Sequence, residues 1–281
     1  PEPGKKPEDL YWDLWLGPAP MRPYTPNLHP FNWRGWWDYG TGALGDVGCH
    51  LIDIPYRTLK LKYPTAAECS VGTVFSQMWN PDYNPEGCPA TSFITLNYEA
   101  TEKTGSPLTM TWSDGGIRPS HPEIIPADSD IGGPGSYNGV LIHGENGVIS
   151  TNINDSSPLT PKLYLNDGTT EFGPEVEEME EPEYGHQRKW VDACKAGFGS
   201  EEHQGLTSSF DYAGPMTETV LMGNLAIRSY MLRRQNEEGN MEFYGRKKLL
   251  WDGDNMEVTN FEDANQFVTR TYREGWEMQD V

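Results

Sequence analysis

Long apolar runs are missing from this sequence. No stretch reaches the roughly 18 residues that a membrane-spanning helix needs. Basic charge is scarce as well: 21 Lys and Arg stand against 42 Asp and Glu in 281 residues, a formal net charge of −21. A nucleic-acid groove needs clustered cations to displace phosphate counterions, and an anionic bilayer needs them for attraction. Neither nucleic acid nor membrane is therefore an expected partner. The four cysteines, Cys49, Cys69, Cys88 and Cys194, are far apart with no C-x-x-C pair, which argues against a zinc ribbon or a disulfide framework. H-x-H and H-E-x-x-H are absent, so no metal is expected, although Asp46 and His50 with His29 or His186 contain ligand-type side chains. There is no G-x-S-x-G, and Cys49 would point about 100° away from its neighbour His50 on a helix. A Ser or Cys nucleophile is not supported.

Turn formers and large aromatics are plentiful: 30 Gly, 23 Pro, 10 Trp and 14 Tyr. Such a composition describes a globular chain with many loops. Residues 1–45 are too rich in proline for regular helix (Pro18, Pro20, Pro23, Pro26 and Pro30 each remove a donor) and read as an ordered aromatic loop across a core or pocket. A helix is expected over 46–62, with Leu51, Ile54 and Leu59 on its apolar side and Pro55 as a possible kink. From 66 to 165 the period changes to two, and β-branched or aromatic runs are separated by turns such as GENG (144–147) and NDGT (166–169). Helices are expected again at 184–197, 215–235 and 260–276 within the closing stretch 184–276. Strands that follow one another without intervening helices imply an α+β fold: one domain over 1–281, with a large open, mostly antiparallel sheet and helices packed on one face.

Gly40-Thr41-Gly42-Ala43-Leu44-Gly45 satisfies G-x-G-x-x-G and leads into a helix. A dinucleotide loop needs a hydrophobic strand in front and a βαβ unit around it, whereas FNWRGWWDY precedes and a meander follows. The run reads as a tight packing turn. Asp46, His50, Asp53 and Arg57 lie along one side of the same predicted helix. A carboxylate one turn from an imidazole suits a general base, while helix capping by Asp46 and a satisfied core histidine form the structural alternative. The loop around His29 offers Trp33, Arg34, Trp36, Trp37 and Tyr39, whose faces and cation suit sugar rings and hydroxyls; core packing would also employ them.

The block WDLWLGPAP…HPFNWRGWWDYGTGALGDVGCHLID resembles the C-terminal domain of the Gfo/Idh/MocA family, the glucose–fructose oxidoreductase and inositol dehydrogenase relatives. LTMTWSDGGIRP, GVLIHGENG, GHQRKWVDAC, DYAGPMTETVLMGNLAIR and LLWDGDNMEVTN extend the similarity along the chain. The resemblance implies an NAD- or NADP-dependent oxidoreductase in which a separate N-terminal Rossmann domain, not found in this sequence, holds most of the cofactor. It implies that His50 accepts a substrate hydroxyl proton and that Asp46 orients it. The family's E-K-P motif has no counterpart here, and this chain alone is expected to be inactive. His29, Trp33, Arg34, Trp37, Asp53 and His186 are the expected contacts to a carbohydrate or polyol. The expectation is the substrate-binding half of a sugar, polyol or glycoside oxidoreductase, assembled as a homodimer or homotetramer. A redox-neutral, NAD-dependent glycoside-cleaving enzyme and a non-catalytic carbohydrate-binding or assembly module are the alternatives.

Overall fold

The proline-rich start leaves room for little regular structure. In the computed structural model, which describes residues 3–28, 30–129, 131, 138–152, 161–173 and 184–278, this start contains only the short helix α1 (Trp12–Leu16) and a 3-10 turn at Asn32–Gly35. Helix α2 (Gly42–Thr58) follows and continues through Pro55. Strands β1 (Ala66–Gly72), β2 (Thr91–Tyr98) and β3 (Leu108–Ser113) come next, then β4 (Gly139–Gly144), β5 (Gly147–Asn152), β6 (Lys162–Leu165) and β7 (Thr170–Phe172). Helices α3 (Gly185–Ala196), α4 (Glu201–Gln204) and α5 (Phe210–Tyr230) precede β8 (Arg233–Gln235), β9 (Met241–Phe243), β10 (Leu249–Asp252) and β11 (Glu257–Val258). The fold is α+β, as the sequence implies.

By internal contacts the chain divides into two compact units. The first comprises Pro1–Cys49, Lys62–Arg118 and Glu218–Val281, and the second His50–Leu61 and Pro119–Thr217. The first unit holds an open antiparallel sheet in the order β11-β10-β1-β2-β3. On β2 the alternation is strict: Ser92, Ile94, Leu96 and Tyr98 are buried and their neighbours half-buried. Gly223 of α5 explains how closely the helical layer approaches, since a Cβ there would sit 2.5 Å from Leu44 and 3.5 Å from Ile94. Leu249 and Met222 complete this core. The other face of the sheet carries exposed Glu68, Ser70, Thr109 and Thr111.

The second unit contains the sheet β4-β5-β6-β7, joined by the two expected hairpins at Glu145–Asn146 and 166–169. Its core is a cluster of Ile125, Val148 and Tyr164, with Ile124, Ile131 and Leu141 against it. The 66–165 stretch therefore makes two sheets where the sequence suggests one. Asp114 ends the first, accepting from Ser92 N–H at 2.6 Å, Ser92 Oγ at 2.7 Å and Trp112 Nε1 at 2.8 Å, and Gly115 and Gly116 turn away with positive φ.

Three helix limits also differ from the sequence pattern. Helix α5 begins at Phe210, ahead of Pro215, because Ser209 O accepts from both Tyr212 and Ala213 N–H. It stops at Tyr230, where the Asn236–Gly239 turn folds the next residues into the β8–β9 hairpin; Asn236 Oδ1 accepts from Glu238 and Asn240 N–H. The stretch expected as helix over 260–276 is a 3-10 turn at Glu262–Phe267. There the Asn265 amide bonds both Val258 N–H, at 2.7 Å, and Val258 O, at 3.1 Å, tying the turn to β11.

Candidate active site

In the first unit the N-terminal aromatics pack on one another before they can bind anything else. Trp12 stacks on Trp15 at 4.6 Å, Tyr24 meets Trp12 edge-on at 5.1 Å, and Trp15 lies 5.1 Å from Tyr39. Leu16 and Leu28 are buried beneath them. Helix α1 ends at Gly17, whose φ of +56° suits a residue without Cβ, and Arg273 donates to Gly17 O at 2.8 Å and to Asp13 Oδ1 at 2.5 Å. These contacts hold the loop as a wall. What the wall borders is a cleft of about 280 Å³ lined by Trp15, Leu16, Pro18, Trp33, Asp38, Tyr39 and Arg270. Arg270 Nη2 donates to Asp38 O. Burial pushes the Tyr39 hydroxyl above its ordinary pKa. Aromatic faces with one carboxylate and one guanidinium at the rim match the donor and acceptor pattern of a polyhydroxylated ring.

Helix α2 carries the predicted catalytic pair. The three glycines of the G-x-G-x-x-G run at its start are committed to protein contacts. A Cβ on Gly40 would lie 2.5 Å from Arg34 O, one on Gly42 (φ +64°) 2.9 Å from Cys88 Sγ, and one on Gly45 would strike Thr41. Asp46 is exposed and pairs with Arg34 Nε at 3.2 Å. The Arg34 guanidinium in turn covers the rings of Phe31 at 4.3 Å and Trp33 at 4.7 Å. Asp46, Arg34 and Trp33 are thus brought together. Trp37 lies instead against Arg228, 5.7 Å away, whose guanidinium also covers Phe267.

In the second unit His50 is solvent-exposed and, among the described residues, forms no hydrogen bond or ion pair. Asp53, one turn further along α2, accepts from the Tyr212 hydroxyl and lies 3.6 Å from Arg57. Arg57 covers the Tyr212 ring at 4.0 Å and donates to Thr207 O at 3.0 Å. Burial, reinforced by the bond to Asp53, raises the Tyr212 pKa well above that of a free phenol. His186 is exposed at the start of α3. His29 lies outside the described residues.

Tyr212, Asp38, Arg270 and Trp15 are contacts that the sequence reading did not nominate. Tyr212 is discoverable only as part of the DYAGPMTETV block, and Arg270 falls within the stretch expected as helix over 260–276.

A family model described as "Oxidoreductase family, C-terminal alpha/beta domain", the Gfo/Idh/MocA C-terminal domain, matches residues 2–67. The resemblance is borne out over that stretch. It covers the aromatic wall, Trp33, Arg34, all of α2 and the first strand residues, so the cleft wall and the Asp46–His50 helix lie in the matched stretch. No curated protein matches the chain.

Chemically, the first unit offers a rigid stacking surface with a charged rim. The second offers His50, exposed and, among the described residues, without a hydrogen bond or ion pair.

Proposed function

We propose that this chain is the substrate-binding part of an NAD- or NADP-dependent oxidoreductase acting on a hydroxyl of a sugar, polyol or glycoside. The observation that carries this reading is the aromatic cleft of Trp15, Trp33 and Tyr39 with Asp38 and Arg270 at its edge, of which all but Arg270 lie in the stretch similar to the oxidoreductase family. Stacking on the rings rewards the apolar face of a sugar, and the two charged groups reward its hydroxyls.

Gly40, Gly42 and Gly45 do not fit a dinucleotide's pyrophosphate, because the close approach that each permits is already taken by Arg34, Cys88 or Thr41. Redox chemistry belongs to the nicotinamide cofactor implied by the oxidoreductase family, and this chain's share is the substrate and the proton. His50, exposed and, among the described residues, free of competing bonds, is the base that takes the hydroxyl proton at a ring nitrogen. Asp46 adds a carboxylate one helical turn before it, and Arg34 fixes that carboxylate in place. The protein further self-associates as a homodimer or homotetramer.

Calorimetry with a panel of sugars and polyols, combined with turnover of the intact protein supplied with NAD or NADP, tests the reading. Trp33→Ala is expected to weaken sugar binding at least about tenfold. His50→Ala should abolish turnover and leave the sugar dissociation constant unchanged. Sugar binding indifferent to Trp33→Ala would overturn the cleft assignment. A bound sugar never oxidised by the intact protein would instead favour a non-catalytic binding module.

A further inference from the structure

Helix α5 carries a polar side chain into the core of the first unit. Its stretch VLMGNLAI (220–227) is apolar apart from Asn224, and Gly223 lets the helix close on Leu44 of α2 and Ile94 of β2. Asn224 is only 5% exposed. Among the described residues neither its Oδ1 nor its Nδ2 forms a hydrogen bond, and both atoms are sealed from solvent. An amide buried without partners forfeits the bonds that water gives it in the unfolded chain, so a residue kept at this position needs something to bond.

Asn224 lines a small cavity at the start of α2, about 10 Å³ in volume, whose other polar walls are Thr41, Cys88, Ser92 and Asp114. That is the room one water molecule needs. Gly42, Ala43 and Leu44, in the first turn of α2, border the same space. N–H groups in a first turn have no partner within their helix, and the partial positive charge they carry disfavours a cation. The Asp114 carboxylate disfavours an anion. It is itself well supplied with donors, accepting from Ser92 N–H at 2.6 Å, Ser92 Oγ at 2.7 Å and Trp112 Nε1 at 2.8 Å. Size and charge together select a small neutral molecule that both donates and accepts.

We propose that this cavity is a binding site for one internal water, which bonds the Asn224 amide and joins α5 to the first turn of α2. The water donates to Asn224 Oδ1 and accepts from Nδ2 or a first-turn N–H, within the range of about two to four bonds that holds an internal water in place. It fastens the end of α2 that leads to Asp46, where Gly42 starts the helix with a φ of +64°. The site shares no lining residue with the aromatic cleft and is independent of what that cleft binds.

Crystallography of the intact protein, at a resolution that shows ordered water, tests it together with magnetic relaxation dispersion of the solvent. The expected result is a water within hydrogen-bonding distance of Asn224, and the loss of one long-lived internal water in Asn224→Leu, whose side chain has similar size and needs no partner. An Asn224 amide bonded directly to protein groups, with the cavity dry, overturns the site. So does a cation in its place, revealed by anomalous scattering from crystals soaked in rubidium chloride. Relaxation dispersion unchanged in a folded Asn224→Leu overturns it equally. Should that variant not fold, the wild-type crystal structure decides alone.

Discussion

The two units obey the same alternation in their strands and reach different results. In the first, the inward side of β2 is sealed by α5 and the start of α2, with Ile94 fully buried and Gly223 drawn in close. In the second, among the described residues, Val148 and Tyr164 are the strand residues that join Ile125 in a buried cluster, and β7 is exposed throughout. Aromatic residues that might have thickened that core, Trp190, Phe198 and Phe210, remain exposed. Alternation orients side chains; burial depends on whether a second layer arrives to cover them. The consequence for function is direct. The first unit positions its cleft residues by packing, whereas the second positions Asp53 by polar bonds from Tyr212 and Arg57.

The largest effects should expose that contrast. Ile94→Ala removes three methylene-equivalents from a site with no exposed surface and no easy collapse, at a cost of about 3–4 kcal/mol. Val148→Ala, in a smaller cluster, should cost about 1.5 kcal/mol. Urea unfolding of the two variants checks both. Equal losses would mean that the second sheet is as well covered as the first and that the comparison fails.

A smaller effect is expected where polar bonds take the place of packing. Tyr212→Phe deletes the hydroxyl that binds Asp53 and should cost about 1 kcal/mol near neutral pH. Its signature lies in alkali. Because the folded-state pKa is raised above that of the unfolded phenol, the folded protein keeps a proton that the unfolded chain loses from about pH 10 upward. The stabilisation is complete below that point and declines as pH climbs through the folded pKa. Tyr212→Phe should therefore flatten the alkaline limb of the stability profile, and identical limbs in both proteins would show that the bond contributes nothing.

Legibility in the sequence followed distance along the chain. The runs that became β1 to β6, the hairpins at GENG and NDGT, and the helix through Asp46 and His50 were all readable, because each is set by neighbours within a few residues. Trp33 and Arg34, expected from the sequence as contacts to a carbohydrate, lie at a cleft and beside Asp46 respectively, the second a contact that the sequence does not announce. What escaped was long-range. The Tyr212–Asp53 bond joins residues 159 apart, and Arg270 reaches Asp38 across 232. Strand β10 enters the sheet beside β1, a pairing on which hydrophobic period is silent. The missing C-terminal helix has a different cause: Phe261, Ala264, Phe267 and Val268 have helical spacing, but the Asn265 amide satisfies the backbone of β11 and holds the segment as a 3-10 turn.

The subtlest test uses the thiols as reporters of cover. Cys69 on β1 and Cys88 beside Gly42 both belong to the packed first unit, and burial pushes each thiol up to about 12. The thiolate is the reactive species, so at mildly alkaline pH these two should react slowly with a disulfide reagent. Cys194 on α3 of the second unit is exposed, as is Cys49 on α2 at the very end of the first. Two thiols should therefore label quickly and two only on unfolding. Mass mapping of the labelled peptides assigns them. Rapid labelling of Cys88 would mean that the Gly42 contact opens readily, and the first unit's helix–sheet packing would then be no firmer than the polar bonds holding Asp53 in the second.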